Sequence, residues 1–524
     1  MAREKIRNPK QTERGDALLN RRSFLKGMVG SSVIAAAGSL AISSVAGAAA
    51  NARDNTGRWS EILDIVVVGS GFAGLAAATE AAERGMKVVV LEKMPRYGGN
   101  SAICHGEFAA SDDPYHLRDK LELGDDGPAR HAEDMLRAGN YYGKPDLVRV
   151  VAEQAPAALT WLLEGAGVKI QESVLAAPGH SSPRIYSGIG GSGEVLVEAL
   201  KKRAEQSGVV IRTNEQVTAI WRNSFSAPVV GVEVQRGKRR SNIYIRQALI
   251  LASGGFSRDL AMRQVYNPAV GSSYQSTNHP GATGELIQSA RVVGADVTQM
   301  NFVQVYPFAD PVTGRFDVPS VFALRGPAVG MIFVDEKGKR FVNEAADGET
   351  CARAQIRAGG KKRVTFALFN EAMISAMGTN DEIVSGMKAG RFARGETLAD
   401  LARFLEIPPE NLEKTVSDHN RYIREGVDPV WGKKSMKRMI PLESGPFYVL
   451  SQWPAVHGTL GGLRINTRAQ VLDIRSNPIP RLYAAGEVTG GIHGANRLPG
   501  NSIPECIVFG RIAGANAAAE KFPA

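Results

Sequence analysis

Ile62–Val68 forms a short, nearly continuous apolar run that is mostly β-branched. Without hydrophobic/polar alternation, it predicts a strand buried on both faces of a parallel sheet. Leu75–Arg84 is alanine-rich and predicts a helix, and Lys87–Leu91 predicts a second strand. Helical spacing recurs over Leu147–Leu163 and Gly193–Glu205, and strand runs recur at Val209–Thr213, Val229–Val234 and Ala248–Ala252. Phe316–Phe333 and Thr365–Phe369 predict a second, smaller sheet, and the mostly apolar Ile503–Ala519 predicts a closing helix. Strands alternating with helices place the chain in the α/β class. No tandem repeat interrupts it.

The glycines fall where these elements meet. Gly69-Ser70-Gly71-Phe72-Ala73-Gly74 lies between the first strand and the first helix, and Glu92 follows 18 residues after Gly74. In that context the spacing predicts a dinucleotide site. Gly69 permits the tight turn, Gly71 lets the backbone approach a pyrophosphate, and Gly74 lets helix and strand pack closely. Phe72 and Ala73 open the helix whose unpaired N–H groups face the phosphates. Glu92, followed by Lys93, suits a ribose diol. Gly98-Gly99-Asn100-Ser101, Ser253-Gly254-Gly255 and Gly486-Glu487 add further loops, and Asn501-Ser502-Ile503 opens the last helix. Separated segments returning to one site suit a ligand as long as FAD. The dipole of the last helix would stabilise the charge of reduced flavin.

The chain has 524 residues, with 63 Lys+Arg against 53 Asp+Glu and a net charge of +10. Residues 1–26 hold eight of the basic and three of the acidic residues, and Gly27–Ala52 carries no charge. A positive front, a mildly apolar middle and small residues near Ala46–Ala52 form a signal-peptide plan. Arg21-Arg22-Ser23-Phe24-Leu25-Lys26 is similar to a twin-arginine export signal. Residues 1–50 are therefore expected to be a removable signal and the protein to be periplasmic or otherwise exported. The segment is rich in Gly and Ser, so no integral membrane span is expected. What remains has 55 basic and 50 acidic residues, without a basic stripe interleaved with aromatics, so nucleic acid is not an expected partner. Three cysteines rule out a disulfide scaffold, and none has zinc or c-type haem spacing. No metal is expected.

Gly98–Ser101, Asp335–Glu344 and Tyr483–Arg497 together resemble the fumarate reductase/succinate dehydrogenase flavoprotein superfamily over residues 60–524. Its soluble flavocytochrome c and urocanate reductase branches are the most similar. The resemblance implies a Rossmann-like, discontinuous FAD-binding domain over residues 60–300 and 431–524, with an inserted α+β capping domain over 301–430. Asn100 replaces the histidine that carries covalent flavin in membrane-bound relatives, so the FAD is expected to be non-covalent. The flavocytochrome haem domain is missing, which implies an external electron carrier such as a c-type cytochrome.

The resemblance also assigns candidate catalytic residues. Arg497 matches a carboxylate-clamping arginine, and Glu487 matches an FAD-ribose ligand. Arg325 matches a relay arginine, but the relay glutamate three residues earlier is Phe322. Gly348 stands where the proton-donating arginine is expected, with Arg353 the nearest arginine downstream. Tyr306 replaces one clamp histidine. The other falls at Gly458, beside His457. Phe322, Tyr306 and Trp453 are expected to line a larger, more apolar pocket. The implied enzyme reduces the activated C=C bond of an enoate or enone other than fumarate, by hydride transfer from flavin N5. Two alternatives stay open. Gly458-Thr459-Leu460-Gly461-Gly462-Leu463 also resembles ketosteroid dehydrogenases, which implies α,β-desaturation. The departures at Phe322, Gly348 and Gly458 also permit a non-catalytic flavin electron-transfer protein.

Overall fold

A computed structural model describes residues 59–520, apart from 189–191, 319, 361, 379–382, 384–385 and 388–389. The export signal expected over residues 1–50 lies outside the described residues.

The main sheet runs in the order Gln470–Leu472, Pro478–Ala484, Arg239–Leu251, Glu61–Val68, Val88–Leu91, Val210–Arg212. The last five strands are mutually parallel. Parallel strands covered on both faces need apolar side chains throughout, and Ile65–Val68, Val88–Leu91 and Ala248–Leu251 are all buried. The register matters for function. Val68 pairs with Leu91 and with Leu251, and Ala484 also pairs with Leu251. Four strands thus end level at their carboxyl ends, where open α/β sheets bind ligands. The loops that leave them start at Gly69, Glu92, Ala252 and Ala485.

Two helices flank this edge and begin at it, Phe72–Glu83 and Ser502–Ala518. A Cβ at Gly510 would stand 2.5 Å from the Ala73 carbonyl oxygen, and one at Gly514 would stand 2.3 Å from that of Ala77. Only glycine lets the two backbones approach so closely.

The smaller domain has its own core of phenylalanine, leucine and methionine side chains. Its antiparallel sheet joins Val303–Ala309, Phe447–Thr459, Thr365–Asn370 and Ile332–Val334, with Phe392–Gly395 also on Phe447–Thr459. Two strands run from one core to the other. Val303, Val305 and Val456 belong to the larger core, whereas Phe308 and Leu450 belong to the smaller. The return to the FAD-binding domain therefore falls within Phe447–Thr459, later than the expected boundary at residue 430. Phe316–Phe333 contributes only its end to the sheet. Ser320–Leu324 and Gly326–Val329 are helical, the latter with Pro327 in its first turn, where a missing N–H costs nothing. Among the described residues, no helix is long and apolar enough to cross a membrane.

Candidate active site

The loops from the level strand ends enclose one elongated cleft. At Gly69, φ is +105°, and a side chain would meet the Ala252 carbonyl oxygen at 2.3 Å. A Cβ at Gly74 would stand 1.9 Å from the Gly69 carbonyl oxygen, so the helix starts hard against the loop. The Phe72 amide donates to Ser101 Oγ at 2.9 Å, tying the second glycine segment to the first. Glu92 is held at both oxygens: Ser70 Oγ donates to Oε2 at 2.5 Å, and the Met94 amide donates to Oε1 at 2.9 Å. Lys93 donates to Thr283 Oγ1 at 2.6 Å and pairs with Glu285.

Midway, Glu487 accepts from the Thr459 amide at 2.9 Å and from Asn100 Nδ2 at 3.1 Å. Burial raises its carboxyl pKa. The His279 amide donates to Asn100 Oδ1 at 2.7 Å, so both ends of that carboxamide are engaged. Ser253 Oγ faces the cleft, buried and without a hydrogen-bond partner among the described residues. A Cβ at Gly99 or Gly254 would have nothing within 4 Å. A long cradle of backbone, two helix N-termini and an orphaned hydroxyl fits a dinucleotide such as FAD.

Most of the expected cofactor residues line this cleft. Gly69, Gly71, Phe72, Ala73, Glu92 and Lys93 form one wall. Gly98, Gly99, Asn100, Ser101, Ser253 and Gly254 form a second, and Glu487, Ser502 and Ile503 close it. Gly74, Gly255 and Asn501 stand behind the lining. A Cβ at Gly255 would meet Thr459 Oγ1 at 2.0 Å and Glu487 Oε1 at 2.7 Å, so glycine there leaves room for those two groups. Asn501 turns away, and its Oδ1 accepts from His131 Nε2 at 2.7 Å.

The other end is built from rings, with Arg497 and acidic side chains among them. Arg497 lines it, and its guanidinium makes no hydrogen bond or ion pair with any described residue. Burial lowers its pKa, partly offset by Glu487 and Glu505. His457 lines the same end, with Nδ1 2.9 Å from Thr277 Oγ1, and burial pushes its imidazole down to about 3. Tyr306 sits behind it, ring centroids 4.9 Å apart, and touches Phe316 at 4.4 Å. Phe316 lines the cleft and packs edge-on against His105 at 4.2 Å.

The sequence profile of the family described as FAD binding domain matches residues 64–503. A urocanate reductase of Eggerthella lenta is 36% identical over 464 residues, which is 87% of this chain and 75% of that one. An acrylate reductase flavoprotein subunit of Shewanella woodyi is 34% identical, over 95% of this chain and 98% of that one. Among solved structures, an open flavocytochrome c3 fumarate reductase superposes with a TM-score of 0.74 at 31% identity, covering 88% of this chain and 79% of that one. The chain belongs to the fumarate reductase flavoprotein superfamily. It is an FAD-dependent oxidoreductase acting on C=C bonds.

Within that superfamily its substrate end departs from the expected pattern. Phe322 is fully buried in the cap core against Phe369 and Phe392, and Trp453 is buried against Gly359. Neither lines the cleft, which corrects the expectation of an apolar pocket built on them. Arg325 is exposed at the start of Gly326–Val329, outside the cleft. Arg353 is exposed on Gly348–Ala358, pairs with Glu349 at 2.8 Å and faces a separate groove. His105, Glu107, Phe316 and Thr277 line the site without having been singled out as site residues. For His105 and Glu107 a signal existed: they come directly after the short helix Gly99–Ile103 that carries Asn100 and Ser101.

Proposed function

We propose that the protein reduces the C=C bond of an α,β-unsaturated monocarboxylate. The observation that carries this reading is Arg497, a guanidinium in the cleft with no hydrogen bond or ion pair to a described residue, at an end also lined by the buried imidazoles of His105 and His457 and by Phe316. The other basic side chain of the lining, Lys93, is committed to Glu285. A guanidinium binds one carboxylate through two parallel hydrogen bonds. A second carboxylate, as in fumarate, would be buried without a counter-charge, which is costly. The hydride for the β-carbon is the chemistry that bound FAD supplies. Arg497 orients the carboxylate and stabilises the negative charge that grows on it. Phe316 and Tyr306, both from the cap, shield the reacting carbons from water. Urocanate and acrylate, named for two relatives, are monocarboxylates of this kind.

The test is anaerobic. Dithionite-reduced enzyme is mixed with acrylate, crotonate, cinnamate, urocanate and fumarate, and flavin reoxidation is followed. Reoxidation by a monocarboxylate well ahead of fumarate is expected; preference for fumarate would sink the reading. The glycine string at Gly458 supports a second reading, α,β-dehydrogenation of a ketone or acid. Saturated ketones that bleach the oxidised flavin, with no enoate reoxidising the reduced form, would favour it. Exchange of electrons without any organic substrate would instead indicate an electron-transfer protein.

Three finer features belong to the same proposal. FAD is held without a covalent bond, because the Asn100 carboxamide is a poor nucleophile and is already hydrogen-bonded at both ends. Acid precipitation should then leave all flavin in the supernatant. Arg21 and Arg22 direct export by the twin-arginine route, so replacing both with Lys should retain the protein in the cytoplasm. An external carrier such as a c-type cytochrome delivers the electrons, and a reduced c-type cytochrome should reduce the flavin directly.

A further inference from the structure

Adding hydride to the β-carbon requires a proton at the α-carbon. The superfamily's relay positions do not bring one here. Gly348 has no side chain, Phe322 is in the cap core, and Arg325 and Arg353 are exposed outside the cleft.

The candidates at the Arg497 end are few. Burial pushes the Cys104 thiol up to about 12 and the Tyr306 phenol well above its usual range, so neither releases a proton readily. Burial pushes His105 down to about 4 and His457 to about 3, so near neutral pH both imidazoles are uncharged and carry no acidic proton to give. Arg497 is occupied as the carboxylate anchor.

Glu107 remains. It opens the strand Glu107–Ala109, which pairs with Ile185–Gly188. Two residues on, the Ala109 amide donates to the Gly500 carbonyl at 2.9 Å, which fixes this strand to the loop that carries Arg497. The Glu107 side chain lines the same cleft as Arg497, Phe316 and His457. His105, two residues earlier, packs on Phe316 with ring centroids 4.2 Å apart, so the start of this strand lies at the Arg497 end of the cleft.

We propose that Glu107 is the catalytic acid that protonates the α-carbon, in place of the missing arginine relay. The proposal rests on the enoate-reductase reading. The carboxyl O–H bond breaks and a C–H bond forms at the α-carbon, while the hydride from reduced flavin forms the C–H bond at the β-carbon. The π bond is consumed, Glu107 is left as carboxylate, and water reprotonates it.

The experiment compares wild-type, Glu107→Gln and Glu107→Asp holoenzymes, reduced by dithionite under anaerobic conditions. The probes are acrylate, cinnamate and 1-nitropropene. A nitroalkene places the nitro group where the carboxylate sits and holds the carbanion as a nitronate, so its reduction needs no proton in the chemical step. Glu107→Gln should slow reoxidation by the enoates at least about 100-fold, with Glu107→Asp in between. The same Glu107→Gln enzyme should reduce 1-nitropropene within about fivefold of wild type, because hydride transfer is untouched. Binding of the saturated acid to the oxidised holoenzyme, read from the flavin spectrum, should be unchanged, which shows that the variant is folded and its carboxylate anchor intact. Enoate reduction by Glu107→Gln at near wild-type rate would overturn the proposal. So would equal loss with the nitroalkene, which would make Glu107 a structural or binding residue. If wild-type enzyme itself fails with every enoate, it is the functional reading that falls, and this assignment with it.

Discussion

The two ends of the cleft are made differently. The dinucleotide end is backbone and fixed hydrogen bonds: Gly69 and Gly74 pressed against the Ala252 and Gly69 carbonyls, and Glu92 held by Ser70 and Met94. Its residues follow one another closely after level strand ends. The substrate end is a set of side chains from distant segments: His105, Tyr306, Phe316, His457 and Arg497. Tyr306 and Phe316 belong to the cap side. The first end is specified by local geometry and tolerates little change. The second is specified by packing between two domains, and can be altered one ring or one charge at a time. A superfamily can therefore keep one cofactor site and vary its substrates.

The largest expected effect breaks the first end. In Gly74→Val, any Cβ must displace the Gly69 carbonyl from 1.9 Å. A destabilisation of about 3 kcal/mol or more is expected, with loss of bound flavin measured as the ratio of flavin to protein absorbance. Retention of stoichiometric flavin would show that this end is not set by backbone approach. The next effect breaks the second end alone. Arg497→Ala should lower kcat/KM for the enoate by about 100- to 1,000-fold, the scale for losing one buried charged contact. Flavin content and reoxidation by ferricyanide should stay at wild-type levels. Loss of flavin as well would erase the distinction between the two ends.

This contrast also explains what could be read from the chain. Strand ends, glycine loops and helix starts are coded within about 30 residues, and the dinucleotide spacing carries a physical mechanism at each position. Sequence spacing therefore located Gly69–Gly74 and Glu92, whereas Glu487 was assigned through the family resemblance. Phe316 and Thr277 had no such signal, because they reach the cleft only through the docking of the cap and of residues 275–278 on Val456–His457. Phe322 and Trp453 show the converse. Aromatic type alone does not say where a ring packs: Phe322 fills the cap interior, and Trp453 lies against Gly359. The long strand Phe447–Thr459 spans both cores, so no composition shift marks where the chain changes domain.

Acid sharpens the comparison further. His105 and His457 sit at the substrate end with imidazoles held near 4 and 3 by burial, against an ordinary value of about 6.5. As pH falls below 6.5 the unfolded chain takes up these protons while the folded chain does not. The unfolded state then binds more protons, so stability falls with falling pH from about 6.5 down towards 4. Each such histidine contributes up to about 1.4 kcal/mol per pH unit in that window. Thermal unfolding of the holoenzyme between pH 7.5 and 4.5 should show the decline, and His105→Phe should make it shallower by one histidine's share, since His131, His180 and His419 are held near 4 as well.

The smallest expected effect concerns Arg353. It is 69% exposed and pairs with Glu349 one helical turn away, in a groove separate from the cleft. Such a pair contributes about 0.3–0.5 kcal/mol. Arg353→Ala should leave kcat, KM and flavin content within about twofold of wild type, in contrast to Arg497→Ala. The comparison is informative because Arg353 is the nearest arginine downstream of Gly348, where a proton-donating arginine was expected. A loss of enoate reduction approaching that of Arg497→Ala, with 1-nitropropene reduction spared, would mean that cap closure carries Arg353 into the cleft. Proton delivery would then belong to the cap helix, and the division between a fixed cofactor end and a substrate end would depend on domain motion as well as on packing.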